Sequence, residues 1–525
     1  MSSQDQNGPS GADPRSTVSA GEQVAADEAL TQLGTAHWHQ QWYEVLELAE
    51  KHWRLLLKYG FEEIQNALGD VPEDAFVSYP RARTLSRIIC PGREIPADTR
   101  PHTELGLADA TLQMIDTRLR GEVAAASRTA LASEARAERA MGHEIQLPAA
   151  EFRVYFEQAG SCHLLAGEVH HARRCLTRIS SPVQESISVG QRRDVLGKLA
   201  FIAAVTGHMH SARGLVETAD PLPRRTGWLH DLAESTLKSS AALARVEALD
   251  PTSIQFPVTG IGAETSADEF WFGGRLVETR WALAWGEPAA VLSNIREDRR
   301  ERITPLSGDS LAATVITACE VRLLLALGQP EEAAQTLAAT SLRHPMLQVN
   351  RARLQLSRDE PWEALAELAP ILHTVHPWLY ARMEGLILAA NARHRLGHSD
   401  EVAALLGRAL AMGQADGMTT PWASLDPEVP APVQSLDGLA PVLERLRTAR
   451  TRPFPTPKLT RTLLSTREWQ VLTVLSQGLT FEEAARRQYV SRNTIKTQVR
   501  SIYRKLGVAS LPEAIAKGYE LGLIE

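Results

Sequence analysis

The stretch Leu464–Leu506, LSTREWQVLTVLSQGLTFEEAARRQYVSRNTIKTQVRSIYRKL, decides the fold of the C-terminal end of this 525-residue chain. Ser465 with Glu468 and Thr480 with Glu483 have the spacing of capping boxes, and Ser510 with Glu513 repeats it just beyond. In such a box the hydroxyl satisfies an orphan amide while the carboxylate reaches back and favours the helix N-terminus. Gly478 and Gly507 stand where helices need a left-handed residue to stop. The pattern predicts helices over 466–477, 481–488, 492–506 and 511–521. Only Tyr489–Ser491 separates the second from the third, as a helix-turn-helix requires.

The third of these helices carries the chemistry. Ile495, Val499, Ile502 and Leu506 form a stripe that faces a small core. The opposite face then presents Asn493, Lys496, Thr497, Arg500 and Arg504. Lys and Arg donate to guanine O6 and N7 in the major groove, and a threonine methyl meets that of thymine. From Leu459 onward ten Lys and Arg face six Asp and Glu, a charge of +4 within a chain of −7, so the remainder carries −11. Positive charge is concentrated where a phosphate backbone would be met. Ala484 and Ala485 are small enough for two helices to cross closely.

These residues resemble the LuxR/FixJ-type helix-turn-helix family, through LSTRE, the QGLT turn, VSRNTIKTQ and IYRKLGV. The resemblance implies that Lys496, Thr497 and Arg500 read base edges. It places Arg492, Asn493, Thr494, Arg504 and Thr480 near phosphates, and gives the last helix, with Pro512, Ile515 and Tyr519, to contact between two such domains. One departure stands out: Phe481-Glu482-Glu483 replaces the basic residue often found early in the second helix. Weaker non-specific affinity is expected from it.

Upstream, the composition leans towards helix, with 44% hydrophobic residues and few aromatics. No strand-like alternation appears, and no apolar run is long enough to span a membrane. Cys90, Cys162, Cys175 and Cys319 form no CxxC, as expected of a reducing cytoplasm. Residues 1–28 read as a disordered, polar tail rather than a targeting signal, and 29–100 as a helical hairpin region. There Trp42, Leu46, Ala49, Trp53 and Leu56 share one side of a helix that Gly60 breaks.

Over 101–445 one figure recurs: an apolar helix end, a turn, then a polar opening and a small residue. Examples are LLAGEVHHARRCL (164–176), AVTGHMHSARGLV (204–216), LALGQPEEAAQTL (325–337) and RLGHSDEVAALLGRAL (395–410). The period is loose, near that of tetratricopeptide (TPR) hairpins, so a TPR-like helical-repeat solenoid is expected. Residues 446–458, which include TRPFPTP, read as a stiff proline-rich linker to the DNA reader at 459–525. The order of these parts is similar to large LuxR-type regulators of the MalT class, yet the phosphate-loop signature is missing. The nearest string, GQRRDVLGKL (190–199), has the wrong spacing, and its lysine reads as a surface charge. ATP switching is therefore not carried over, and no cofactor is implied.

Two further clusters bear on function. Cys162, His163, His170, His171 and Cys175 crowd one hairpin, where core thiols and turn-exposed imidazoles are favoured over metal ligands. EFWFGG (269–274) fits a hydrophobic core better than a ligand pocket. Catalytic motifs such as GxSxG and HExxH are absent, so no enzyme is expected. The sequence thus reads as an all-α, cytoplasmic, sequence-specific transcriptional regulator, an activator by analogy, whose helical array takes a partner or small-molecule signal. It would bind double-stranded DNA as a homodimer on an inverted repeat, with RNA polymerase or another protein as a further partner. The alternative is a helical-repeat adaptor working through protein–protein contacts.

Overall fold

A computed structural model of the protein describes residues 14–90, 93, 95–96, 105–142, 149–180, 189–223, 234–249, 268–301, 308–373, 377–429, 436, 438–449, 466–487, 492–506 and 508–520. Every regular element among them is a helix, and none is long and apolar enough to cross a membrane.

The N-terminal helices are α1 (Pro14–Trp38), α2 (Trp42–Tyr59), α3 (Phe61–Asp70) and α4 (Pro80–Ile89), with a 3-10 turn at Glu73–Ser78. Leu46, Ala49, Trp53 and Leu56 of α2 bury the expected stripe against Leu33 of α1 and Leu68 of α3. The lead-in differs from the expectation. Helix α1 already covers 14–28, and there Ala26 is buried, at helical spacing from the buried Ala29, Leu33 and Ala36 of the region expected to be helical. Residues 1–13 lie outside the described set.

The array follows as pairs of helices joined by short turns: α5 (Leu107–Leu119) with α6 (Val123–Gly142), α7 (Ala149–Leu165) with α8 (Val169–Ser180), and α9 (Val189–Thr206) with α10 (Met209–Ala219). After α11 (Glu234–Glu247) come α12 (Phe272–Ala284) with α13 (Pro288–Glu301), α14 (Leu311–Ala326) with α15 (Pro330–Ala338), α16 (Pro345–Ser357) with α17 (Pro361–His373), and α18 (Leu379–Arg395) with α19 (Ser399–Asp416). The first helix of a pair also packs on the first helix of the next, with α11 standing between α9 and α12, the layering of a solenoid. The turns of the four quoted stretches, at 167, 207, 328 and 397, are glycines at positive φ, and Asp359 takes the same conformation between α16 and α17. Gly286 keeps ordinary φ; a Cβ there would strike Trp281. Ala172, Ala212, Ala333 and Ala364 are fully buried at the helix crossings.

The array curls until its last pair meets its middle. Gly207 lies so close to Tyr380 that a Cβ would sit 2.5 Å from the Tyr380 backbone nitrogen. Glu247, at the end of α11, accepts from the backbone N–H groups of Thr419 and Thr420, each at 3.0 Å, and from the Thr420 hydroxyl. Arg280 donates to the same carboxylate at 3.3 Å and lies 3.7 Å from the centre of the Tyr380 ring. Nearby, Glu384 is shared by Arg322 at 2.9 Å and Arg353 at 2.7 Å, and Ser424 donates to it. A cavity of about 30 Å³ lies beside these groups, room for a water and little more. Two further buried pairs, Arg118–Glu269 and Lys198–Glu157, tie earlier helices together. Lys198, expected at the surface, is thus a core residue on α9, and the string 190–199 is continuous helix rather than a phosphate loop.

A 3-10 turn at Thr420–Ser424 leads towards α20 (Leu439–Ala449), whose Leu439 and Leu446 share a core with Trp422. Helix therefore extends into the start of the stretch expected as linker, and residues 450–465, with TRPFPTP, lie outside the described set. The C-terminal domain comprises α21 (Thr466–Ser476), α22 (Phe481–Arg487), α23 (Arg492–Leu506) and α24 (Leu511–Glu520), within a residue or so of the expected bounds.

Burial alone would raise the Glu384 carboxyl, but Arg322 and Arg353 more than offset this and hold it below its usual value of 4.5. A carboxylate depressed in the folded state stabilises at pH values above its unfolded pKa, and that contribution is lost as pH falls through the folded pKa. Glu384→Gln is expected to cost about 3–5 kcal/mol in urea unfolding at neutral pH, since two guanidinium groups lose their shared anion. It should also flatten the acid limb of the stability profile below about pH 4.5.

Candidate nucleic-acid interface

The C-terminal domain has its own core, in which Val471, Leu472 and Leu475 of α21 and Ala484 and Ala485 of α22 meet Ile495, Val499, Ile502 and Leu506 of α23. Burial of that stripe turns the opposite face of α23 outward. Lys496, Thr497, Arg500 and Arg504 lie there, with Lys496 and Arg500 exposed. Four residues span just over one helical turn, so Lys496, Thr497 and Arg500 share one side. The side chains of Asn493 and Thr494, and the turn at 488–491, lie outside the described residues.

Local hydrogen bonds fix where this helix sits. At the start of α22, Thr480 N–H donates to Glu483 Oε2 at 2.8 Å, and Glu483 N–H donates to Thr480 Oγ1 at 3.3 Å, a complete capping box. Those bonds to Thr480, its backbone N–H first, hold the Glu483 carboxyl below the usual carboxylate range. The box at α24 is looser: Glu513 N–H donates to Ser510 Oγ at 3.4 Å, while the Glu513 carboxylate receives the Ala509 N–H instead. Ser465, partner of the third box, lies outside the described residues. Its expected partner Glu468 is largely buried and pairs with Lys505 at 2.7 Å, clamping α21 to the end of α23. Gly478 closes α21 at φ 80°.

Two ionic contacts were not visible as pairs in the sequence. One is the Glu468–Lys505 clamp, whose partners are 37 residues apart. The other is Arg492 Nη1–Glu482 Oε1 at 3.3 Å, which ties an expected phosphate contact to the acidic residue that departs from the family pattern. On α24, Tyr519 is 49% exposed, whereas Ile515 packs partly on the core.

The remaining clusters resolve differently. Phe270 and Phe272 are buried edge-on to Phe201, Trp271 is buried, and Glu269 pairs with Arg118, so EFWFGG builds core. Among the hairpin residues, Cys162 turns to Arg118 and His170 is exposed. Contrary to expectation, His163 is fully buried rather than at an exposed turn, alongside half-buried His171 and buried Cys175.

Residues 462–517 match the family of bacterial regulatory proteins, luxR family. The chain is 42% identical over 66 residues to the HTH-type transcriptional regulator MalT of Serratia proteamaculans and, equally, to that of Yersinia pestis. The likeness covers 12% of this chain and 7% of those relatives, and it falls on the helix-turn-helix domain. No solved structure matches the chain. With its capped α22, its apolar-backed α23 and this family match, the C-terminal domain is a luxR-family helix-turn-helix domain, resembling that of MalT.

Proposed function

We propose that the protein is a sequence-specific, DNA-binding transcriptional regulator whose helical array receives a partner or small-molecule signal. The observation that carries this reading is the Lys496–Thr497–Arg500 surface of α23, set opposite a buried stripe within a luxR-family domain. The relatives' names, HTH-type transcriptional regulator, agree with it. In this reading α23 enters the major groove and two copies engage an inverted repeat, with half-sites about one helical turn apart. Pro512 and the exposed Tyr519, both on α24, suit a contact between the two domains. Activation, through RNA polymerase or another protein, is the direction the resemblance favours.

The array offers a route for the signal. Glu247 holds Thr419 and Thr420, the adjoining turn packs on α20, and α20 leads in sequence to the DNA reader. Opening that latch would reach the reader without any ligand at the DNA surface. Glu247→Gln, which leaves α23 untouched, is expected to change the DNA affinity of the full chain measurably. An unchanged affinity would disconnect the latch from the reader.

Selection from random duplex DNA by the full-length chain is expected to yield an inverted-repeat motif that the Lys496→Ala/Arg500→Ala double variant does not recover. Equal enrichment by the double variant would favour the adaptor alternative. Arg500→Ala alone should cost about 1–3 kcal/mol and relax preference at one base pair. Uniform weakening on all sequences would make Arg500 a phosphate contact. Glu482→Gln releases Arg492 and should strengthen binding to random duplex, steepening the dependence of log K on log salt by about one contact. Anisotropy titrations at several salt concentrations measure that slope.

A further inference from the structure

Between α6, α7 and α8, side chains of matched chemistry converge. Glu134, His163 and His171 each offer one donor atom, and the three atoms lie within 4.8 Å of one another. Glu134 and His163 are buried, at 4% and 1% exposure, and His171 is half-buried. His163 is the informative member. Its Nδ1 lies 2.8 Å from Ser127 Oγ, while its Nε2 is buried without a hydrogen-bond partner among the described residues. A buried polar atom left so is costly and asks for a reason. With Ser127 accepting from Nδ1–H, Nε2 turns a lone pair outward, the way an outer partner presents histidine to a metal.

A positive charge already occupies this place. Arg174 Nη2 is 2.6 Å from Glu134 Oε2 and 3.4 Å from His171 Nδ1, so one guanidinium nitrogen bridges two of the three donors. Arg174 is 49% exposed, and its long side chain can swing into solvent. Arg178 stands farther off, at 3.7 Å from Glu134, and Cys175 Sγ lies 4.0 Å from Glu134 Oε1.

We propose that Glu134, His163 and His171 form a site for a divalent cation of the Zn²⁺ class, and that its binding displaces the Arg174 guanidinium. Two imidazoles and a carboxylate suit Zn²⁺ rather than Ca²⁺ or Mg²⁺, which take oxygen ligands. Tetrahedral bonds of about 2.0–2.1 Å set donors about 3.4 Å apart, so donors now within 4.8 Å of one another close the set by shifts of about an ångström. Water completes the coordination. The bound cation pins α8 to α6 and α7 within the array. None of this rests on the function of the DNA-binding domain.

The test is a titration of chelator-treated full-length protein with Co²⁺, read by visible absorption and followed by competition with Zn²⁺. Because the chain holds 16 histidines, the variants decide. One four-coordinate Co²⁺ per chain, bleached by Zn²⁺, is expected. His163→Gln and His171→Ala should abolish that signal, Ser127→Ala should weaken binding about tenfold, and Arg174→Ala should tighten it by removing the competing charge. Should buried His163→Gln fail to fold by circular dichroism, the half-buried His171→Ala decides the matter. No four-coordinate spectrum, or one unchanged in both His171→Ala and Arg174→Ala, would overturn the proposal.

Discussion

A carboxylate withdrawn from water must be surrounded by donors, and Glu247 and Glu384 impose that demand on the whole array. Glu247 is fully buried and draws on α12, on Thr419 and on Thr420 at once. Glu384 requires α14, α16 and the turn at Ser424 to be in register around it. A stack of helical hairpins held by apolar contacts alone could open or tighten its curl by small increments. These two groups resist such changes, because sliding the helices that bear their donors would leave a buried charge unsatisfied. The contacts of Glu247 with Thr419 and Thr420 join residues more than 170 positions apart, so they are worth most once the intervening helices have formed.

The DNA-binding domain works on the opposite principle. Its determinants are local: a capping box at Thr480, a left-handed Gly478, and a stripe at i, i+4, i+7 and i+11 on α23. Each is set within a few residues, which is why the sequence predicts all four helices closely. The Glu468–Lys505 clamp is the exception, since a carboxylate at a capping-box position also serves a partner 37 residues away that the local pattern does not announce.

The array was legible as hairpins but not as a core. Positive-φ glycines and buried alanines mark the turns and crossings from sequence because they answer local steric needs. The first helices of the pairs, by contrast, are covered on nearly all sides. In α9, Gln191, Arg193, Asp194 and Lys198 are buried together with Val195, Phe201 and Ile202. No apolar stripe survives such a helix, and its charges look in sequence like a solvated face. That is why Lys198 reads as surface although Glu157 holds it inside. The same blindness hides His163, whose neighbours Ser127 and Glu134 lie 36 and 29 positions earlier on α6. The lead-in fails for a different reason: Ala26, which docks it, is too small to stand out against a polar background.

Charge distribution constrains how the two parts work together on the proposed reading. Outside the DNA-binding domain the chain carries −11, and within it only +4. Lys505 is committed to Glu468, and Arg492 leans on Glu482. At physiological salt, charges farther than about 8 Å from the phosphates are screened, so the acidic array neither repels DNA strongly at a distance nor assists it. Binding then depends on the short-range contacts of α23, and a domain of modest charge gains little from arbitrary sequence. On the proposed reading, a chain so arranged would discriminate by base contacts rather than by accumulation on the duplex. Paired domains would sharpen that further, because two weak readers fixed at one spacing multiply their selectivity without adding non-specific attraction.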